Sequence, residues 1–427
     1  MTTKLLIYGI TGDLSRRKLL PALKEIYATG EYDDMQIIGV SRRDVDVPAL
    51  LQESLGDTSL ADKVRVFSMD LANADDYVRL KEDINVQADE QLVVYMSVPP
   101  SATTQIVDLM GEAGINGPNV KLLFEKPFGM DLTSARDVLD RTARYYDEQQ
   151  IYRIDHYLAK EMAQNIVAFR GRNALFARLW DSKNIQSIEI IASENIGIEG
   201  RAQFYEQTGA LRDVVQGHLM QLLALVLMDI PEDFNWSELP KMRLAALQKL
   251  APADPSKAIR AQYEGYQKEA GNPGSRTETY VSLELMSNDD NWQGVPMRLV
   301  TGKALKDKTT EIRIHLRKER ESQSNQLTFH IQPNEGISMQ LYVKKPGYGH
   351  EFETHDLSFS YPENTKLPDA YERVIVDAIS GRKNLFTESG EVIRSWEILQ
   401  PLLDAWSFDD EPIAQYQKSS DTSAVSS

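Results

Sequence analysis

Between Lys4 and Phe124 the apolar positions fall in short, nearly continuous runs: Lys4–Tyr8, Gln36–Val40, Val64–Met69, Leu92–Val98 and Val120–Phe124. Longer segments of amphipathic spacing separate them, the first reaching through Leu19–Tyr27 after a glycine turn. Strands that are apolar on both faces and alternate with helices predict a parallel sheet joined by right-handed crossovers. The pattern then changes. Ser187–Ser193, Thr277–Met286, Met297–Thr301, Glu311–Leu316, Gln326–Gln332 and Ser338–Val343 alternate apolar with polar residues, as strands of an antiparallel sheet with one covered face do. A long apolar helix is expected over Gln216–Met228, with others over Ala370–Ile379 and near Glu391–Trp406. The expected architecture is an α/β dinucleotide-binding domain of Rossmann-like type over 1–150 and a larger α+β domain with a mainly antiparallel sheet over 151–410. The remainder, 411–427, is polar and serine-rich from Lys418 onward and is expected to be disordered. Internal repeats are not evident.

A length of 427 residues agrees with about two domains. The chain has no cysteine, which excludes disulfides, thiolate nucleophiles, Cys-ligated zinc and iron–sulfur clusters; no metal site is expected. No apolar run approaches the ~18 residues that a bilayer span requires, and the opening Met1–Leu6 lacks the apolar stretch of a signal peptide. A soluble, cytoplasmic protein without a membrane partner is therefore expected. The formal net charge of −17 argues against a nucleic-acid partner. It also means that any anionic ligand must be held by local cations against the overall field.

The segment Gly9-Ile10-Thr11-Gly12-Asp13-Leu14-Ser15 joins the first strand to the first helix. It is a variant of the dinucleotide fingerprint, in which glycines let the backbone approach a pyrophosphate at a helix N-terminus. The second strand ends Ser41-Arg42-Arg43, where an NAD site usually carries an acid for the ribose hydroxyls. A guanidinium at Arg42 suits a 2′-phosphate, so NADP is preferred over NAD. The plainer alternative is a solvated basic turn, and Asp44 leaves some use of NAD open.

Three further segments are polar where structure alone gives no reason: Glu125-Lys126-Pro127-Phe128-Gly129, the nine residues Arg153–Glu161, and Gly209–His218. With Gly9–Ala22, Glu199-Gly200-Arg201, Gly302-Lys303-Ala304-Leu305, Thr277-Glu278-Thr279, Gln332-Pro333-Asn334-Glu335 and Asp369–Arg373, they make the chain similar to the glucose-6-phosphate dehydrogenase family over roughly Lys4–Trp406. That resemblance implies oxidation of glucose 6-phosphate at carbon 1 to 6-phosphoglucono-1,5-lactone, with hydride transfer to NADP. It implies His218 as the base and Asp155 as the carboxylate that orients it. The 6-phosphate falls to His156, Tyr157, Lys160 and Lys303, and the sugar hydroxyls to Glu194 and Asp213. Gly9, Gly12, Asp13, Leu14, Arg42, Pro100 and Lys126 fall to the cofactor. Lys126 lies between nicotinamide and sugar in the family, and its peptide to Pro127 is a candidate for the cis form. A homodimer through the sheet of the larger domain, or a dimer of dimers, is implied as well.

Chemistry and resemblance agree on these roles. A histidine titrates near ~6.5 and is a natural base; ammonium, imidazole and phenol groups donate to oxyanions; carboxylates accept from vicinal hydroxyls. Taken alone, His218 reads as a satisfied histidine on a buried helix and Lys160 as a solvated helix lysine. The chain departs from the family at Ala159, where glycine is usual and a positive φ would be strained, at Gly217, where asparagine is usual, and at Val300, where arginine is common. It is shorter than most members, so a second, structural NADP site is not expected. Two other readings are a related sugar or sugar-phosphate dehydrogenase, which would lack the Arg153–Glu161 segment, and an NADP-binding regulator without catalysis, which would lack the Asp155 and His218 pair.

Overall fold

A computed structural model describes residues 2–318, 324–362, 365–409 and 411–425. Its strands are β1 (Thr2–Tyr8), β2 (Gln36–Ser41), β3 (Val64–Ser68), β4 (Glu90–Met96), β5 (Val120–Phe124), β6 (Ile151–Ile154), β7 (Ile185–Ser193), β8 (Ala258–Tyr263), β9 (Tyr280–Leu285), β10 (Met297–Gly302), β11 (Thr309–Leu316), β12 (Gln326–Gln332), β13 (Gly336–Lys344), β14 (Phe352–Ser360), β15 (Phe386–Thr387) and β16 (Ala414–Tyr416). The chain divides into two compact units. The first comprises Met1–Gly129, Thr133–Ala159 and Pro368–Val392; the second comprises Met130–Leu132, Lys160–Leu367 and Ile393–Ser427.

In the first unit the five predicted apolar runs form the centre of a seven-stranded sheet of order β15-β6-β5-β4-β1-β2-β3. All its pairs are parallel except β15 with β6. Residues such as Leu5, Ile7, Val93, Tyr95 and Leu123 are fully buried, as strands covered by helices on both faces must be. The order reverses between β1 and β4, and this switch point opens a crevice at the carboxyl ends of the strands. The helix Ala370–Ile379, although distant in sequence, belongs to this unit. Asp369 and Glu372 form a capping box at its start. At its end Lys121 Nζ donates to the carbonyls of Ala378 (2.7 Å) and Ile379 (3.0 Å).

In the second unit the alternating strands build a nine-stranded sheet of order β14-β13-β12-β11-β7-β10-β9-β8-β16. Its pairs are antiparallel apart from β10 with β7 and β16 with β8. The strands β14 and β8 escape the periodicity reading: β14 is exposed along nearly its whole length, so burial imposes no clean alternation on it.

The expected helix over Gln216–Met228 is the end of a helical run, Ala202–Leu227, broken only at Gly209 (φ 61°, ψ 179°). At 26 residues this run is long and apolar enough to cross a bilayer, contrary to the expectation that no segment approaches that length, but most of it is buried inside the protein, as a core helix is. Its last carbonyls would be orphaned in the interior. Three side chains satisfy them: Arg170 donates to the carbonyls of Leu225 (2.6 Å) and Met228 (2.7 Å), Trp180 to that of Val226 (2.7 Å) and Trp292 to that of Leu227 (3.0 Å).

The tail corrects a second expectation. Composition marks 411–427 as disordered, but Ala414–Tyr416 adds to the sheet as β16 and Thr422–Val425 forms a short helix. The edge of β8 supplies the hydrogen-bond partners that the tail's own composition cannot. Ser426 and Ser427 lie outside the described residues.

Candidate functional site

The crevice at the switch point has a volume of about 470 Å³. Gly9, Thr11 and Gly12 follow β1, Ser41 and Arg42 end β2, Asp70 follows β3, and Ser97 and Pro99 follow β4; all line it. Gly9 has φ 78°, and a Cβ there would lie 2.3 Å from the carbonyl oxygen of Ser97, so no other residue fits. The same bareness lets a pyrophosphate approach the backbone, and the residues present fit a dinucleotide. Gly12 N–H closes the turn on the carbonyl of Gly9 at 2.9 Å, and Ser15 Oγ donates to that carbonyl at 2.9 Å. Ser15–Leu19 is wound with the wide π pitch, a local device common at functional sites.

The predicted cofactor residues divide. Gly9, Gly12 and Arg42 line the crevice. Asp13 points to solvent beside Arg17, and Leu14 packs on the core of the unit. Pro100 begins the helix Pro100–Glu112, and it is its neighbour Pro99 that lines the crevice. Asp70 escaped the sequence reading because an acid after the third strand carries no motif.

The end of β5 and the turn after β6 bring a polar cluster together in the first unit. The peptide Lys126–Pro127 is cis. Lys126 Nζ lies 3.9 Å from Asp155 Oδ2, and Asp155 is almost fully buried. The other carboxylate oxygen, Oδ1, accepts the backbone N–H of Tyr157 at 2.9 Å. His156 Nε2 lies 3.1 Å from Glu125 Oε2, and the His156 ring packs on Tyr371 with centroids 4.3 Å apart. Burial pushes the Glu125 carboxyl up, but the bonds from His156 and Tyr95 and the nearby Lys126 outweigh it and hold Glu125 below the usual carboxylate range. Glu125 is therefore ionised, accepts only, and fixes the proton of His156 on Nε2. Among the described residues His156 Nδ1 is buried without a hydrogen-bond partner. Glu125 was part of a motif but had no expected role; only the fold shows that it orients His156.

In the second unit Lys160 stands at the N-cap position of the helix Glu161–Arg172, without a side-chain bond to its backbone. Asp213 and His218 stand at the two ends of Leu211–Leu219, again a π-wound segment. Its start is set by Glu278, a fully buried carboxylate that accepts the N–H of Leu211 at 3.0 Å. A Cβ on Gly209 would lie 2.4 Å from that carboxylate, so glycine is required for steric reasons as well as for its positive φ. Burial pushes the Glu278 carboxyl up, and the Leu211 N–H offsets this only in part. Lys303, nearly buried, is ion-paired with Glu194 and sits 5.1 Å over the ring of Tyr205.

A family model described as the NAD binding domain of glucose-6-phosphate dehydrogenase matches residues 6–165, and one described as the C-terminal domain of glucose-6-phosphate dehydrogenase matches 167–426. The chain belongs to the glucose-6-phosphate dehydrogenase family. It is 33% identical to glucose-6-phosphate 1-dehydrogenase of Dickeya dadantii, over 97% of this chain and 93% of that one. The structure of glucose-6-phosphate 1-dehydrogenase from Mycobacterium avium superposes with a TM-score of 0.87 at 33% identity, covering 98% of this chain and 94% of that one. A glucose-6-phosphate dehydrogenase in complex with its substrate glucose 6-phosphate superposes with a TM-score of 0.90 at 29% identity, with the same coverage.

The departures from the family pattern meet different local environments. Ala159 is not among the residues with positive φ; it is buried in the core of the first unit, so the expected strain does not arise. Val300 lies in β10, paired with Ile191 and Ser282, and is buried. Gly217 is buried within the π-wound segment.

The state of Glu278 carries a pH signature. Because its folded value is raised, its neutral form is favoured in the native state, and stability is lost as pH rises from the usual carboxylate range toward that raised value. Glu278→Gln keeps an acceptor for Leu211 and cannot ionise. Its Tm should equal the parent's near pH ~4 and exceed it by a few degrees at pH ~7. Thermal unfolding across that range tests this, and a difference that shrinks with rising pH would contradict it.

Proposed function

We propose that this chain oxidises carbon 1 of glucose 6-phosphate to 6-phosphoglucono-1,5-lactone, with NADP as the hydride acceptor. The observation that carries the substrate reading is His156. Glu125 holds its Nε2–H, which leaves Nδ1 buried and, among the described residues, without a hydrogen-bond partner, a group suited to a phosphate oxygen once protonated. Tyr157, Lys160 and Lys303 are the other phosphate ligands in this reading, and Glu194 and Asp213 hold the sugar hydroxyls.

NADP supplies the nicotinamide that receives the hydride. Gly9 and Gly12 admit its pyrophosphate and Arg42 pairs with its 2′-phosphate; Asp13, Leu14 and Pro100 complete the loop and helix start around it. His218 accepts the proton of the carbon-1 hydroxyl while the hydride leaves carbon 1, so the C–O bond becomes the lactone carbonyl. Asp155 is the carboxylate that supports the resulting imidazolium. Lys126 holds the reacting end of the sugar, and its charge is balanced by Asp155.

The assembly in this reading is a homodimer. The hairpin β13–β14 presents one apolar face, on which Leu357 and Phe359 face Met339 and Ile337 across the register. Leu357 is 63% and Phe359 48% exposed, an apolar patch that a soluble monomer rarely leaves uncovered.

Three measurements test these readings. His218→Asn should lower kcat and kcat/KM together by about 10²–10⁴-fold with both ligands still bound; a kcat within about threefold of the parent would remove His218 from the base role. Arg42→Ala should weaken NADP binding by roughly 10–100-fold and leave NAD almost unchanged, and equal weakening of both would exclude Arg42 as the 2′-phosphate ligand. Leu357→Glu should shift sedimentation from dimer to monomer, whereas an unchanged dimer would place the interface elsewhere.

A further inference from the structure

Lys303 is positioned from both sides of its own peptide. Its N–H donates to the carbonyl of Thr279 at 2.9 Å, and its carbonyl accepts the Tyr416 hydroxyl at 2.6 Å. Tyr416 belongs to the C-terminal strand β16 and is buried. Its hydroxyl oxygen also lies 2.9 Å from Thr279 Oγ1, which itself accepts the N–H of Tyr263. The Thr279 hydroxyl proton is therefore available to Tyr416, and the Tyr416 proton to Lys303, in one directed chain of bonds. The Tyr416 ring is held edge-on by Tyr263 and Tyr280.

The rest of the tail repeats this grip along the same turn. Ser419 N–H donates to the carbonyl of Ala304 at 2.7 Å, and Lys306 N–H to that of Ser420 at 3.1 Å. Tyr280 Oη donates to the carbonyl of Thr422 at 3.0 Å. Both residues at the Ser419–Ala304 contact have left-handed backbones, with φ 64° and 51°. Two non-glycine residues in that region are strained, and such strain persists only where surrounding contacts over-determine it. The turn in turn holds Glu194: Glu194 N–H donates to the carbonyl of Gly302 and Leu305 N–H to that of Glu194, each at 2.9 Å.

We infer that the C-terminal segment Ala414–Val425 is a positioning element for substrate binding, clamping the Gly302–Lys306 turn so that Lys303 meets the phosphate of the sugar in a fixed geometry. The inference rests on the reading of Lys303 as a ligand of the 6-phosphate. Tyr416 does not touch the substrate in this scheme; it acts through the backbone of Lys303.

Tyr416→Phe removes the hydroxyl and keeps the ring, and Ser419→Pro removes the N–H given to Ala304 as well as the positive φ. Each should weaken glucose 6-phosphate binding to the enzyme without cofactor, read by calorimetry, and raise KM by roughly 3–10-fold, the range of one lost hydrogen bond. The kcat should stay within about twofold, since a fixed phosphate is bound equally in ground and transition states, and kcat/KM for free glucose should not change. In a Lys303→Met background Tyr416→Phe should have no further effect on Kd. A lower Tm with unchanged Kd and KM in both tail variants, or an equal loss on free glucose, would overturn the inference. If Lys303→Met keeps the preference for glucose 6-phosphate over glucose, the reading of Lys303 fails instead, and that result is separable from the behaviour of the tail variants.

Discussion

The buried capping of one helical run is the interaction on which the second unit depends. Ala202–Leu227 starts at an exposed first turn and enters the interior from Thr208 onward, so the backbone groups at its break and at its C-terminal end must be met by protein. Glu278 takes the N–H of Leu211 after the break at Gly209, and Arg170, Trp180 and Trp292 take the last carbonyls. With the break and the C-terminal end fixed, the π-wound stretch between them has a defined phase, and that phase sets where Asp213 and His218 project. A buried carboxylate with a raised pKa is a cost in stability; it is spent on the placement of functional groups.

Charge imposes the second constraint. A chain of net charge −17 that takes two anionic ligands, as proposed above, cannot rely on its overall field, which repels both. It relies on short-range devices. Bare backbone at Gly9 and Gly12 precedes a helix N-terminus, Arg42 stands at the crevice rim, and Lys126 and Lys303 are each matched with a carboxylate. Pairing matters because an unmatched buried ammonium would be costly. Asp155 and Glu194 supply the opposite charge beside these lysines.

The edge of the second sheet illustrates how remote chain can serve a local need. The strand β8 would leave a row of unpaired backbone groups, which invites aggregation. The tail covers that edge with β16 and, in the same pass, bonds to the turn that carries Lys303. Edge protection and bracing of the Gly302–Lys306 turn are thus met by one segment, which explains how a polar, serine-rich stretch is ordered without a core of its own.

Much of the fold was legible from the sequence because burial writes a period into it. The five apolar runs of the first sheet, the fingerprint Gly9–Ser15, and the helix Ala370–Ile379 stand where pattern alone placed them, since each is fixed by local spacing and by residues that tolerate few alternatives. The motifs also named the residues to which the proposed chemistry is assigned. What the pattern could not contain are relations between distant segments. The union of His156 with Glu125 and Tyr371, the burial of Glu278 beneath Gly209, the return of Pro368–Val392 to the first unit and the clasp of Tyr416 on Lys303 all join residues far apart in sequence. No local propensity encodes such partners. A polar side chain reads the same along the chain whether it ends in solvent or in a buried bond, and only the tertiary structure, by removing water from some of these groups and supplying protein in its place, decided which of them are buried and bonded.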